Sequence, residues 1–250
     1  MRFPAPLIEG RLIRRYQRFL VDVEFADASI VTAHCANTGS MQGCKDAGSR
    51  VWLSPADNPA RKLKWTWELV EVAPGVTVGV HTGRSNALVR EAIEAARVPE
   101  LAGYGVIRPE VKYGESSRID LLLQSAGRPD CYVEVKNVTA AVSGRTGFFP
   151  DAVTTRGARH LREMAAMVAA GHRAVLVFCV QRSDVDVVQP ADHIDPAYGR
   201  ALREAMAGGV EVLALGACVT PQGIELARRL AVEVPAQGLR LSTIGPSTMG

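Results

Sequence analysis

Arg118-Ile119-Asp120-Leu121-Leu122-Leu123 and, a short way downstream, Cys131-Tyr132-Val133-Glu134-Val135-Lys136-Asn137 are the two stretches whose reading decides the fold. Both read as strands. In the second, the two-residue period of an extended chain puts Glu134 and Lys136 on one face and turns Val133 and Val135 to the other, into apolar packing. Between them, Ser125-Ala126-Gly127-Arg128-Pro129-Asp130 is rich in turn formers, so a hairpin can set Asp120 beside Glu134. Two acids and one lysine then converge. Carboxylates of this kind hold a hard cation such as Mg²⁺, and a neighbouring ammonium complements charge on a phosphate, which is what metal-dependent phosphodiester cleavage requires.

The chain has five lysines, and two of them close a Glu-x-Lys tripeptide: Glu110-Val111-Lys112 and Glu134-Val135-Lys136. On its own such a tripeptide is an ordinary solvated ion pair on a strand. Position separates the two copies, because only the second follows an acid-bearing apolar strand and a turn. Asp120, leading into three leucines, would sit badly at the edge of a buried strand without a partner or a metal.

Outward from this core, the C-terminal part alternates helices and strands. Residues 85–95 read as a helix capped by Ser85 or Asn86, 105–111 as a strand, and 155–170 as a helix carrying Leu161, Met164, Ala165 and Val168 on one face. The apolar run 174–180 reads as a central strand covered on both faces. A helix over 196–207 and a strand over 210–215 follow, giving a mixed sheet with helices on both sides. A glycine-bearing loop, 143–150, lies where a phosphate backbone can approach closely.

Up to about residue 82 the pattern is different: short alternating stretches at 19–25, 29–35, 50–54, 64–72 and 76–80, separated by turn residues. Five short strands at this spacing suit an OB-like barrel, a fold that binds single-stranded nucleic acid through basic and aromatic groups. Arg11, Arg14, Arg15 and Arg18 form one basic cluster, and Arg61, Lys62 and Lys64 a second. Arg14, Arg15, Arg18, Arg61 and Lys62 are the candidate phosphate contacts. Phe19, Trp52 and Trp65 are either base-stacking platforms or barrel core. The expected division is therefore 1–82 as the barrel, 83–235 as the α/β domain and 236–250 as a flexible tail.

With 250 residues, 47% hydrophobic and a net charge of +3, composition describes a globular chain and leaves its partners open. No apolar run approaches membrane-spanning length and the N-terminus lacks a signal-peptide core, so a cytoplasmic protein is expected. Five scattered cysteines without a Cys-x-x-Cys pair speak against a disulfide framework and a zinc knuckle. The sequence contains no phosphate-binding glycine loop, nucleophile elbow or His-Glu-x-x-His motif. His34 and Cys35 are adjacent on a strand and point to opposite sides, so they do not form a nucleophile pair.

The motifs together resemble the bacterial sugar fermentation stimulation protein A family: Arg118-Ile119-Asp120, Tyr132-Val133-Glu134-Val135-Lys136-Asn137-Val138-Thr139, Phe149-Pro150-Asp151-Ala152-Val153-Thr154 and Arg156-Gly157-Ala158-Arg159-His160-Leu161. Asn37-Thr38-Gly39-Ser40-Met41, Gly48-Ser49-Arg50-Val51-Trp52 and Trp67-Glu68-Leu69-Val70 extend the likeness through the N-terminal half, from about residue 7 to 235. The resemblance implies an OB-like domain, a restriction-endonuclease-like PD-(D/E)xK domain, and DNA as the partner. It aligns Asp120, Glu134 and Lys136 with the acid, acid and lysine of the nuclease motif, with Ile119 in place of the usual proline. It also places Glu91 where a further metal-binding acid commonly stands on the first helix, with Glu110 as the rival for that role, and implies Mg²⁺ or Mn²⁺ as cofactor. Arg156 and Arg159, with His160, follow on the next helix as phosphate contacts or solvated residues; Arg156 in particular sits at a helix N-terminus, which favours anions. Two activities stay open: a metal-dependent nuclease, a homodimer being compatible with cutting both strands, or a non-cleaving DNA-binding regulator of sugar-utilisation genes, as the family name suggests. No helix-turn-helix signature supports the second.

Overall fold

The computed structural model describes residues 1–236 except 57, 59, 115, 116, 143 and 144. Gly144 of the expected substrate-facing loop, and the tail from residue 237 onward, lie outside the described residues.

The N-terminal part is built from β1 (Ile8–Tyr16), β2 (Leu20–Glu24), β3 (Ile30–His34), β4 (Arg50–Pro55), β5 (Trp65–Ala73) and β6 (Val76–Gly79). Antiparallel neighbours run in the order β3-β2-β1-β4-β5-β6, and a parallel contact, His34 opposite Thr66, joins β3 to β5. That contact closes a five-stranded barrel, with β6 added outside the ring. One of the five strands differs from the sequence expectation. β1 was hidden by its arginines, whereas 76–80, counted as the fifth, is the added strand. In β1 only Gly10 and Leu12 are fully buried, and Arg11, Arg14 and Arg15 project outward or sideways. The barrel interior is Leu12, Val21, Val23, Leu53 and Trp67, all buried, and the Trp67 indole N–H donates to the Leu69 carbonyl at 2.8 Å, so this large apolar ring leaves no polar atom unpaired.

The C-terminal part follows a single turn of 3₁₀ helix. It comprises α1 (Ser85–Glu94), β7 (Val106–Tyr113), β8 (Ser117–Gln124), β9 (Cys131–Val138), β10 (Ala141–Val142), β11 (Thr146–Phe149), α2 (Thr155–Ala169), β12 (Arg173–Val180), β13 (Val187–Pro190), α3 (Pro196–Ala207), β14 (Glu211–Thr220) and β15 (Gly223–Val232). One nine-stranded sheet results, in the order β10-β11-β13-β15-β14-β12-β9-β8-β7. The strands β9, β12 and β14 are parallel, connected through α2 and α3, while β7 and β8 run antiparallel to their neighbours and β15 is antiparallel to β14 but parallel to β13.

β12 shows why helices cover both faces. Val175, Val177 and Cys179 pack toward α1 with Leu88, Val89 and Ala92, while Leu176, Phe178 and Val180 pack toward α2 and α3 with Leu161, Met164 and Leu202. A strand apolar on both sides must be buried on both. The start of α1 departs from expectation. Ser85 is already helical, and the 3₁₀ turn Thr82–Arg84 leads into it without a side-chain cap. This frees Ser85 and Asn86 for other bonds.

The two parts are stitched together. Trp52 and Leu69 of the barrel belong to the same apolar cluster as α1. Val78 bridges to Arg182, and the Gly79 N–H donates to the Gln181 carbonyl at 2.8 Å. Among the described residues no helix is long and apolar enough to cross a membrane.

Candidate active site

The β8/β9 ladder explains how Asp120 reaches Glu134. It pairs Leu123 with Cys131, Leu122 with Tyr132 and Leu121 with Val133, and there the backbone pairing stops. One step further Asp120 lies across from Glu134. The Val135 N–H donates instead to Asp120 Oδ2 at 2.7 Å, so the carboxylate takes the place of a strand carbonyl and holds the two strands apart. Asp120 Oδ1 accepts from the Asn86 side-chain amide at 2.8 Å. Both oxygens are thereby oriented by neutral donors, one from the sheet and one from α1.

Glu134 is 2% exposed, and its Oε1 has two partners: the Lys136 ammonium, and His160 Nδ1 at 2.5 Å from α2. Glu134 and Lys136 do share a face, and they face each other. His160 Nε2 accepts from Arg156 Nε at 3.2 Å. An arginine only donates, so the proton of a neutral imidazole sits on Nδ1 and points at the carboxylate. Glu134 Oε2 is buried and has no hydrogen-bond partner among the described residues. The Tyr113 hydroxyl is likewise buried and unpaired among the described residues. Burial, then the charges of Glu134, Glu163 and Asp120, push its pKa upward.

Electrostatics express the crowding of acids. Burial, and then the nearby Glu134, push the Asp120 carboxyl up to about 6. Burial drives Glu134 in the same direction, but the bonds and charges of His160 and Lys136 outweigh it and hold its pKa below the ordinary value. The stronger acid thus remains ionised beside one that resists ionisation, as expected of two carboxylates sharing a site.

Glu91 is not brought to this pair. On α1 it lies five residues beyond Asn86, away from Asp120, and its Oε1 accepts from the Met1 ammonium at 2.8 Å, next to the Ile224 carbonyl. The structure thus pairs Glu91 with the N-terminus. Glu110 stands closer: the register Pro109 to Leu121 and Val111 to Ile119 sets it opposite Asp120, and Asn86 lies 3.5 Å from its Oε1. Its φ of +53° is left-handed, a conformation that costs a non-glycine residue about 1–3 kcal/mol and tends to collect at functional sites.

Among the described residues no three acids, imidazoles or thiols stand together as a metal cage. Asp120 and Glu134 nevertheless suit Mg²⁺ or Mn²⁺. The donors are hard oxygens, Glu134 Oε2 lacks a partner, and such ions use one or two carboxylates and complete their shell with waters and substrate phosphate.

The candidate phosphate-binding residues disperse. Arg14 is exposed and pairs with Asp22 at 2.8 Å. Arg15 and Arg18 lie against the loop after β3: half-buried Arg15 donates to the Asn37 and Gly39 carbonyls, and exposed Arg18 donates twice to that of Thr38. Arg61 donates to Thr66 Oγ1 at 3.2 Å, and Lys62 is exposed. Arg156 holds His160, which accounts for a cation at the start of α2, and Arg159 is exposed near Tyr113. Trp52 is core, Trp65 packs edge-on against Phe25, and Phe19 is 46% exposed. His160, expected as a phosphate contact or a solvated residue, is instead buried against Glu134, and Asn86, expected as a helix cap, holds Asp120.

A closed OB barrel joined to a mixed α/β sheet that presents an acid, an acid and a lysine at parting strands defines a two-part protein with a restriction-endonuclease-like C-terminal domain. Residues 83–223 match the model of the sugar fermentation stimulation protein RE domain, and residues 13–80 that of the SfsA N-terminal OB domain. The chain belongs to the sugar fermentation stimulation protein family. It is 58% identical over 238 residues to a sugar fermentation stimulation protein homolog of Alkalilimnicola ehrlichii, covering 94% of this chain and 100% of the relative. It is 60% identical over 234 residues to that of Geobacter metallireducens, covering 93% and 99%. SfsA of Pyrococcus furiosus, solved in complex with Ca²⁺, superposes with a TM-score of 0.85 at 28% identity, covering 94% and 98% of the two chains.

Proposed function

We propose that the protein binds DNA and hydrolyses its phosphodiester bonds at Asp120, Glu134 and Lys136 with the help of Mg²⁺ or Mn²⁺. The observation that carries this reading is the convergence of two buried acids at parting strands, one with an orphaned oxygen, beside an ammonium. The Ca²⁺ complex of the Pyrococcus furiosus relative supports a divalent ion in this family.

Asp120 and Glu134 would hold the ion, which when bound lowers the pKa of a coordinated water and offsets charge on the phosphate. The chain's own groups do the rest. Asn86 and the Val135 N–H keep Asp120 oriented, His160 keeps Glu134 ionised and in place, and Lys136 sets a positive charge where the pentavalent phosphorus gains negative charge. Glu110 is the nearest further acid.

Incubating the protein with labelled single- and double-stranded DNA in Mg²⁺, Mn²⁺ or EDTA tests the reading. Cutting that requires the ion and disappears in Asp120→Asn is the expected result. Cutting that persists in that variant would remove the site assignment. A second reading is a regulator of sugar-utilisation genes that binds DNA without cutting it, and it draws on the description of the matching family, sugar fermentation stimulation. A gel shift indifferent to EDTA, with no products, would select it.

Among the basic residues of the barrel, Arg14 is exposed and its guanidinium pairs with a carboxylate, whereas Arg15 and Arg18 are committed to main-chain carbonyls. Arg14→Ala should weaken DNA binding uniformly across sequences and reduce the slope of log K against log salt by about 1. Arg15→Ala should instead lower thermal stability, because it releases the loop after β3.

A further inference from the structure

Between the barrel and the sheet lies a cavity of about 180 Å³, one residue along β9 from Lys136. Its walls come from both parts: Asn37 and Thr38 from the loop after β3, Asn137 from the end of β9 and Thr139 just beyond it, and Phe148 and Asp151 from β11 and the segment behind it. The loop is held rigidly. Arg15 and Arg18 grip its carbonyls, Thr82 Oγ1 donates to the Ala36 carbonyl at 2.9 Å, and Ser40 Oγ and the Met41 N–H both reach Asp151 Oδ2 at 3.2 Å. A Cβ at Gly39 would stand 2.5 Å from that same oxygen and force it to move.

The chemistry of the lining narrows the occupant. No lysine or arginine contributes to it, and a carboxylate does, so a phosphate group is disfavoured. Neutral polar groups remain. Asn37 is buried and its Oδ1 accepts from the Gly39 N–H at 2.9 Å, which leaves its amide N–H₂ without a partner among the described residues. Asn137 Oδ1 is likewise occupied, by Ser85 Oγ and Gln181 Nε2, leaving its N–H₂ to donate. Thr139 is 5% exposed. Asp151 Oδ1 makes no hydrogen bond among the described residues, and the ring of Phe148 supplies an apolar wall. The volume is below the about 300–1,000 Å³ of pockets for drug-sized ligands, and fits one small planar ring system.

We infer that this cavity receives a single unstacked nucleobase of the bound DNA strand and prefers a base carrying an exocyclic amine. The inference rests on the DNA reading above. Enzymes that act on nucleic acid read an extruded base by hydrogen bonds to its edge and contact with its faces. Here the Asp151 carboxylate accepts from the amine, as a carboxylate does from cytosine N4, while thymine would turn a carbonyl oxygen toward it. The fusion of the two parts then acquires a purpose: neither the barrel loop nor the sheet encloses the base alone.

Short single-stranded oligo-dC and oligo-dT differ at the relevant edge by an amine against a carbonyl. Their binding near neutral pH in EDTA, by fluorescence anisotropy, tests the pocket, with cleavage of both followed separately in Mn²⁺. The expected result is about tenfold tighter binding of oligo-dC, the lower end of what one base-edge contact supplies. That preference should disappear in Thr38→Trp, which blocks the exposed mouth, and in Asp151→Asn. Equal binding of the two strands by the unaltered protein, a comparison that does not depend on the variants folding, overturns the pocket and leaves the DNA reading standing. So does a preference that survives Thr38→Trp in a protein with unchanged circular dichroism. Failure to bind or cut either strand overturns both.

Discussion

Glu134→Gln is expected to yield a folded protein that binds DNA as before and cuts it at least about 10²-fold more slowly. The amide oxygen can still accept from His160 Nδ1 in the place of Oε1, so the buried bond between β9 and α2 is retained. What disappears is the charge that Lys136 faces and the anionic oxygen available to an ion. Glu134→Ala is a harsher change, because it leaves the Lys136 ammonium and His160 without their shared acceptor. Removing one partner of a buried ion pair costs about 3–5 kcal/mol. The alanine variant should therefore lose both cleavage and thermal stability, and the glutamine variant chiefly cleavage. Cleavage rates and melting curves on the two proteins separate the roles. A glutamine variant that cuts at the normal rate would show that Glu134 serves the fold alone.

The second large effect is expected at His160, which touches no substrate and acts through Glu134. With 3% exposure it is sealed between Arg156 and the carboxylate, so its ring orientation is set from both sides. His160→Phe keeps the volume and removes both bonds. Losing a partner that orients a metal-binding group commonly lowers metal affinity or activity about 10–100-fold, and a loss of that size is expected here. The loss should fall on the turnover rate and on the concentration of Mn²⁺ needed for half-maximal activity, with DNA affinity unchanged. His160→Asn can still donate toward Glu134 and should recover part of it. A phenylalanine variant that is merely less stable, with an unaltered Mn²⁺ requirement, would limit His160 to packing.

The sequence made Glu134 and Lys136 legible because a strand's two-residue alternation is a local property, and Asp120 legible because a turn-rich segment links two apolar stretches. His160 and Asn86 were not legible as supports. Each reaches its carboxylate across 26 and 34 residues, and nothing in a helix pattern says which neighbour its polar face will meet. Once Asn86 is seen to be the α1 residue that meets Asp120, helical phase argues against Glu91, because five residues of a 3.6-residue helix turn it well away.

The fold was legible in uneven measure. The apolar run of β12 and the amphipathic helices stood out, whereas β1 was masked by charge and β15 was passed over. The alternation of Ile224, Glu225 and Leu226 after the turn at Pro221 and Gln222 was the available signal for β15; its later residues, Arg228 and Arg229, disrupt the period, opposite a register shift at Gly216.

The bridge between Val78 and Arg182 has a bearing on how the molecule comes apart. Arg182 is buried, it donates to the Thr139 carbonyl at 2.6 Å, and its side chain is clasped by Asp184, so the strand leaving the barrel is anchored to residues from two distant points of the sheet. Together with Trp52 and Leu69 wedged on α1, this ties the folding of each half to the presence of the other. A protease cut in the short connection at 80–84 would leave the fragments associated, and either fragment expressed by itself would expose an apolar seam. Heating should accordingly give one calorimetric peak and not two, with the barrel and sheet melting as a single cooperative unit.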